Sequence, residues 1–186
     1  MGEKVALGPF SADQFATFNR WENDPAVVRN LGYLPRPRTL ATTAASFETG
    51  IWSEPTTDLF ALYERATWRL IGYTGLMHID HIDKTAEFVI VIGEGDARGK
   101  GYGTEATRLV LDHAFVALGL GNVILRVSEY NRAGIRAYEK AGFRLMGVRR
   151  KSKLMGGKRW DILYMEILAE EFESPVLEQV LRLDQP

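Results

Sequence analysis

Five glycines fall within eleven residues, at positions 93, 95, 99, 101 and 103, where a β-branched apolar run gives way to an amphipathic one. Glycines at such a junction let backbone N–H groups converge on one point, and a helix starting there adds about half a positive charge to it. The chemistry this pattern suits is capture of a phosphate-bearing ligand by the backbone of Arg98, Gly99, Lys100, Gly101, Tyr102, Gly103 and Thr104. A glycine-rich surface turn is the bland alternative. The nucleoside-triphosphate loop, G-x-x-x-x-G-K-[ST], does not fit, because Glu94 stands five residues before Gly99 and Gly101 follows Lys100. Dinucleotide binding is closer: Gly101-Tyr-Gly103-Thr-Glu-Ala106 satisfies G-x-G-x-x-A, and Glu129 could meet a ribose, as in an NAD(P) protein.

Other chemistries have weaker footing. His78, Asp80, His81 and Asp83 could ligate a metal, but strand alternation would put His78 and Asp80 on one face and His81 on the other, so no metal site is expected. Arg149, Arg150, Lys151 and Lys153 form a cationic run that suits a solvated sheet edge, with contact to a cofactor phosphate or an acidic acceptor as the alternative. Cysteine is absent, which removes disulfides, thiolate metal sites and a cysteine nucleophile. Lys and Arg total 23 against 24 Asp and Glu, so there is no cationic excess for general nucleic-acid binding. The longest apolar runs are strand-sized and the first ten residues carry charges, so no membrane association and a cytoplasmic location are expected.

These residues must be positioned by elements of one domain, for which 186 residues at 46% hydrophobic content suffice. Residues 4–8 predict a first strand, and Phe15, Phe18 and Trp21 lie at helical spacing after a Ser11 or Asp13 cap. Residues 29–39 hold three Gly/Pro breaks and predict a loop, followed by a helix over 40–52. Residues 59–63, 68–77 and 86–92 predict an antiparallel meander. Then come the glycine loop, a helix near 103–118, a strand at 123–127, a helix at 131–141 and strands at 143–149 and 159–168 around a Gly156-Gly157 turn. The strand–helix–strand step requires a right-handed parallel crossover. The expected fold is therefore α/β of the α+β type: a mixed, mostly antiparallel central sheet with helices on both faces. In the tail, Val176, Leu177, Val180 and Leu181 share a helical face, expected to dock on the core rather than form a dimer surface.

Arg98-Gly-Lys-Gly101-Tyr-Gly103 resembles the [QR]-x-x-G-x-[GA] acetyl-CoA loop of the GNAT superfamily of N-acetyltransferases. The similarity continues through Asn131-Arg-Ala-Gly134-Ile-Arg-Ala-Tyr138-Glu-Lys-Ala-Gly142-Phe143, with Gly134 where Ser or Ala is more usual. The Gly-Tyr-Gly-Thr-Glu-Ala stretch and the ending around Trp160, Asp161 and Met165 are similar to the branch of ribosomal-protein N-terminal and spermidine or diamine acetyltransferases. The resemblance implies two parallel strands that splay apart, freeing the backbone of Val91, Ile92 and Gly93 for the pantetheine arm of acetyl-CoA. Asn131 would hold that arm from the other wall, with a plain helix cap as its alternative role. It implies Tyr138 as general acid to the leaving sulfur and Glu87, through water, as base. The acceptor would be a primary amine: a protein N-terminus, a polyamine or a small-molecule amine. At pH 7 only roughly one alkylamine in 2,500 is unprotonated, so some group must take its proton. A catalytically silent acyl-CoA-binding module is the alternative, and the chain is expected to act as a monomer or homodimer.

Overall fold

A computed structural model describes residues 1–31 and 36–182, with the side chains of Glu48 and Ile51 outside the description. Seven strands form one sheet: β1 (Val5–Gly8), β2 (Asp58–Glu64), β3 (Arg69–Asp80), β4 (Thr85–Ile92), β5 (Asn122–Ser128), β6 (Arg144–Met155) and β7 (Lys158–Leu168). Their spatial order is β1-β2-β3-β4-β5-β7-β6, and every neighbouring pair is antiparallel except β4 and β5. The helices are α1 (Phe15–Glu22), α2 (Pro25–Val28), α3 (Leu40–Thr49), α4 (Tyr102–Asp112), α5 (Arg132–Ala141) and α6 (Leu177–Val180).

The expected mixed sheet is present, with helices on its two faces. On one, α4 and α5 bury Val110, Leu111, Tyr138 and Ala141 against Phe88, Leu125 and Ile167. On the other, Phe18 and Trp21 of α1 pack on Val91 and Tyr73, with Phe47 of α3 beside them. The amphipathic spacing read from the sequence is what divides these residues between two layers.

Several boundaries move. β3 runs to Asp80, three residues past the expected end, because the ladder accommodates a bulge between Met77 and Asp80 in which His78 takes φ 52°. Leu76 and Ile79, three residues apart, therefore both face the core, since a bulge shifts the phase of the side chains around it, while His78 and Asp80 are both exposed, in keeping with their expected shared face. The helix expected over 40–52 stops at Thr49, and Ile51–Ser53 forms a separate 3₁₀ turn after Gly50. α4 ends at Asp112 in a π-turn over His113–Ala117. β6 continues to Met155, so the cationic run does lie on an edge strand, with Arg149, Arg150 and Lys151 exposed and Lys153 half-buried.

The tail departs most. α6 is one turn, Val180 and Leu181 are exposed, and Val176 packs on the core with Leu177 half-buried beside it. Polar contacts hold this segment instead: the buried Asp112 carboxylate accepts hydrogen bonds from the Val176 amide (3.2 Å), the Leu177 amide (2.8 Å) and the Ser174 hydroxyl (2.5 Å). Leu183 and residues 32–35 of the predicted loop lie outside the described residues. No helix among the described residues is long and apolar enough to cross a membrane.

Candidate functional site

The parallel pairing is short. β4 and β5 are in register only from Thr85 to Glu87 and from Asn122 to Ile124. Beyond that point the strands part, and a cleft of about 380 Å³ opens between them. Ile90, Val91 and Ile92 of β4 form one wall, and Asn131, Gly134 and Tyr138 of the α5 segment form the other. Arg98, Gly99, Gly101, Gly103 and Thr104 close the end where α4 begins.

The loop has the geometry that an anion cradle requires. Gly99 (φ 77°) and Gly101 (φ 86°) are left-handed, a conformation that costs a residue with a Cβ about 1–2 kcal/mol. A Cβ on Gly99 or Gly103 would meet nothing within 4 Å, so open space lies against both. Gly101 is the N-cap of α4 and has no side chain to occupy the first-turn amides. The Arg98 side chain folds back so that Nε (3.2 Å) and Nη2 (3.1 Å) both donate to the Ile92 carbonyl, pinning the loop to the end of β4. Its guanidinium thus shapes the loop, and the residue lines the cleft.

Four of the anticipated residues do not line the cleft. Gly93 is a packing glycine: its amide donates to Ile71 O at 2.9 Å, and a Cβ there would lie 2.2 Å from the Trp21 indole. Along an antiparallel ladder backbone groups alternate in direction, so Val91, two residues earlier, also turns its amide and carbonyl toward β3. The backbone groups facing the gap are those of Ile90 and Ile92; of the expected trio, Val91 and Ile92 line the cleft and Gly93 does not. Tyr102 points into the domain, where its hydroxyl donates to Glu64 Oε1 at 2.6 Å. That bond, followed by burial, raises the phenol above its ordinary pKa. The Lys100 ammonium stands 5.9 Å from the Tyr102 ring centroid, on the surface.

Asn131 and Tyr138 do reach the cleft. Asn131 caps α5, its Oδ1 accepting from the Gly134 amide at 3.1 Å, and it lines the cleft at the same time. A Cβ on residue 134 would come within 2.6 Å of Asn131 Nδ2, so the unusual glycine is what lets the cap fold so closely. Tyr138 packs edge-on to Phe88 (centroids 6.1 Å apart) and Phe143 (6.2 Å), and its hydroxyl has no hydrogen-bond partner among the described residues. Burial pushes its phenol up to about 12.

Glu87, the fourth residue outside the cleft wall, sits where the strands begin to part, on the face opposite Phe88. Oε1 accepts from Arg126 Nε at 2.7 Å, and Oε2 is 3.5 Å from His78 Nδ1. The Glu87 bond holds the Arg126 guanidinium above its already high pKa. Glu129, the dinucleotide reading's ribose contact, instead accepts the Asp161 amide at 2.9 Å, because β7 lies beside β5. Among the described residues no group of three or more His, Asp or Glu is placed to hold a metal ion.

Sequence reasoning missed several wall residues. Arg136 and Lys140 stand one helical turn apart on α5 and line the cleft, although the 3.6-residue period through Asn131 and Tyr138 puts them on another side of the helix and so does not find them. Val27, Asn30 and Leu31 reach the cleft from α2 and the 3₁₀ turn after it, an approach with no local sequence signal.

The model of the acetyltransferase (GNAT) domain matches residues 4–144. A spermidine N(1)-acetyltransferase of Vibrio cholerae is 31% identical over 109 residues, 59% of this chain and 62% of that one. One from Escherichia coli K12 is 31% identical over 101 residues, 54% of each chain. The matched segment thus spans about six tenths and about half of those two relatives. A crystal structure of the Vibrio cholerae enzyme in complex with CoA and spermine superposes with a TM-score of 0.83 at 22% identity, covering 91% of this chain and 98% of that one. Seven strands in this order, a splayed parallel pair with a glycine loop at its open end, and a family match over most of the length lead to one assignment: the chain belongs to the GNAT acetyltransferase family.

Proposed function

We propose that the chain is an acetyl-CoA-dependent N-acetyltransferase that passes the acetyl group directly to a primary amine within a ternary complex. The observation that carries this reading is the cleft between β4 and β5, with an amide-rich glycine loop at one end and the Tyr138 hydroxyl on its wall. The residues present fit the cosubstrate. Left-handed Gly99 and Gly101 and the first-turn amides of α4 suit a pyrophosphate, the outward backbone of Ile90 and Ile92 suits an extended amide-bearing arm, and Arg136 and Lys140 add cations along the wall. When bound, acetyl-CoA supplies an activated thioester carbonyl.

Around that carbonyl the chain holds and moves protons. A C–N bond forms as the C–S bond breaks, and the amine gives up a proton while the sulfur gains a partner for its charge. Tyr138 Oη donates a hydrogen bond to the departing sulfur. With its pKa near 12, above the roughly 8.5 of an ordinary thiol, it stabilises that charge without surrendering its proton outright. Glu87 stands on the face from which the amine arrives and takes the amine proton through water. No cysteine is present to carry the acyl group.

The relatives' names put polyamines first among acceptors to try. Calorimetry with acetyl-CoA, followed by transfer assays on a panel of spermidine, simple alkylamines and peptide N-termini, tests the proposal. Micromolar cofactor binding with turnover on at least one amine is expected. Absence of both binding and transfer would overturn it.

A further inference from the structure

Ala86 and Phe88 are buried in the layer beneath α4 and α5, so alternation places Glu87 on the other face of β4. Arg126 shares that face of β5, two residues beyond Ile124, the register partner of Glu87. The two side chains therefore meet across the point where the strands begin to diverge. Phe88, Tyr138 and Phe143 pack together on the α4–α5 side of this point, which leaves the Glu87 face as the approach for an acceptor. The Glu87 side chain is only 14% exposed, whereas that of Arg126 is 53% exposed. The carboxylate is therefore fixed in the sheet, while the guanidinium above it has solvent to move into. His78, the β7 residues Tyr164 and Glu166, and Arg144 of β6 beyond them are titratable groups on neighbouring positions of this face.

An amine acceptor that arrives as an ammonium is a second cation seeking the same carboxylate. From this geometry we infer that Arg126 is a specificity-determining residue for the acceptor, a built-in competitor that holds Glu87 until a cationic substrate displaces it. The inference rests on the acetyltransferase reading and goes beyond it by naming what sets acceptor affinity. Displacement makes and breaks no covalent bond: the Nε–H···Oε1 contact opens, the guanidinium turns to solvent, and an ammonium N–H takes its place on Glu87. A half-exposed pair of this kind is worth a few-fold in an equilibrium constant, so the competition is strong enough to tune affinity and too weak to forbid binding.

Titration of spermidine into the full chain saturated with CoA, followed calorimetrically, tests this. Arg126→Gln should bind spermidine about fivefold more tightly than the parent, whereas Arg126→Lys, which keeps the charge, should stay within about twofold. The gain should vanish when Glu87→Gln is added to Arg126→Gln. Arg150→Gln, which removes a positive charge from the exposed β6 edge, should show no gain. In turnover, Arg126→Gln should lower the acceptor KM.

The inference is overturned if Arg126→Gln binds no tighter than the parent, if the gain survives in the double variant, if Arg150→Gln gives the same gain, or if none of the proteins binds spermidine. If Arg126→Gln instead weakens turnover of an acidic amine such as a glutamyl peptide and leaves spermidine unaffected, Arg126 recognises an anion and the inference is again wrong. Its failure is separable from that of the proposed function: the binding cycle can hold in a protein that transfers no acetyl group, and transfer can proceed with Arg126 inert.

Discussion

Replacing Tyr138 by Phe isolates one oxygen atom in the proposed chemistry. The ring is held by Phe88 and Phe143, contacts that Phe keeps, and the lost hydroxyl has no protein partner among the described residues. Stability should therefore move by less than about 1 kcal/mol, since no internal hydrogen bond is broken. Turnover should not be spared. The departing sulfur loses its donor, and a loss of about 10²-fold in kcat, equivalent to about 2.7 kcal/mol, is the expected scale. The pH profile adds a second test. With the phenol pushed up to about 12 by burial, only about one molecule in 10⁴ is ionised at pH 8, so Tyr138 contributes no alkaline limb below about pH 10. The linkage has the same sign. The neutral form is favoured in the folded state, so its contribution to stability is complete below pH 10 and is lost as pH rises toward 12. Steady-state kinetics on parent and variant, with calorimetric cofactor affinity and a thermal melt as controls, would decide. A variant with full turnover at saturating substrates refutes the reasoning, as does a fall in kcat that tracks a fall in cofactor affinity or melting temperature.

Three further outcomes follow from the packing. Gly93→Ala places a methyl group 2.2 Å from the Trp21 indole, so a loss of about 1–3 kcal/mol is expected in a denaturant titration; an unchanged midpoint would mean α1 can shift freely. Arg98→Gln removes the clamp on the Ile92 carbonyl and should weaken acetyl-CoA about tenfold or more, with kcat at saturation little altered; an unmoved Kd would show the loop ordered without it. Asp112→Asn retains one acceptor oxygen where three donors converge, so limited proteolysis should cut between residues 174 and 182 faster than in the parent, and equal rates would argue that Val176 alone anchors the tail.

Much of the fold was legible because its signals are local. The period of two in the meander, the period near 3.6 in α4 and α5, and the glycines at 99 and 101 each report on a few consecutive residues, and the structure follows them. The tail was less legible. Val176, Leu177, Val180 and Leu181 form an apolar stripe on paper, but the chain docks through the Asp112 carboxylate 62 to 65 residues away, which no window of neighbouring sequence contains. The hairpin near His78 hid a different feature: one bulged residue puts Leu76 and Ile79, three apart, on the same buried face, a phase shift that plain alternation does not display.

The sequence by itself determined the order of elements, the glycine loop at the start of α4, the Asn131 cap and the presence of Tyr138 seven residues later, since each depends on spacing within one strand, loop or helix. Tertiary structure alone decided which atoms face the cleft. Gly93 is spent on Trp21 and Ile71, Tyr102 on Glu64, and the outward edge of β4 belongs to Ile90 and Ile92 because the β3 ladder sets the phase of its backbone groups. It also decided that Glu87 meets Arg126, 39 residues later, because β4 and β5 lie side by side only after α4 has crossed between them.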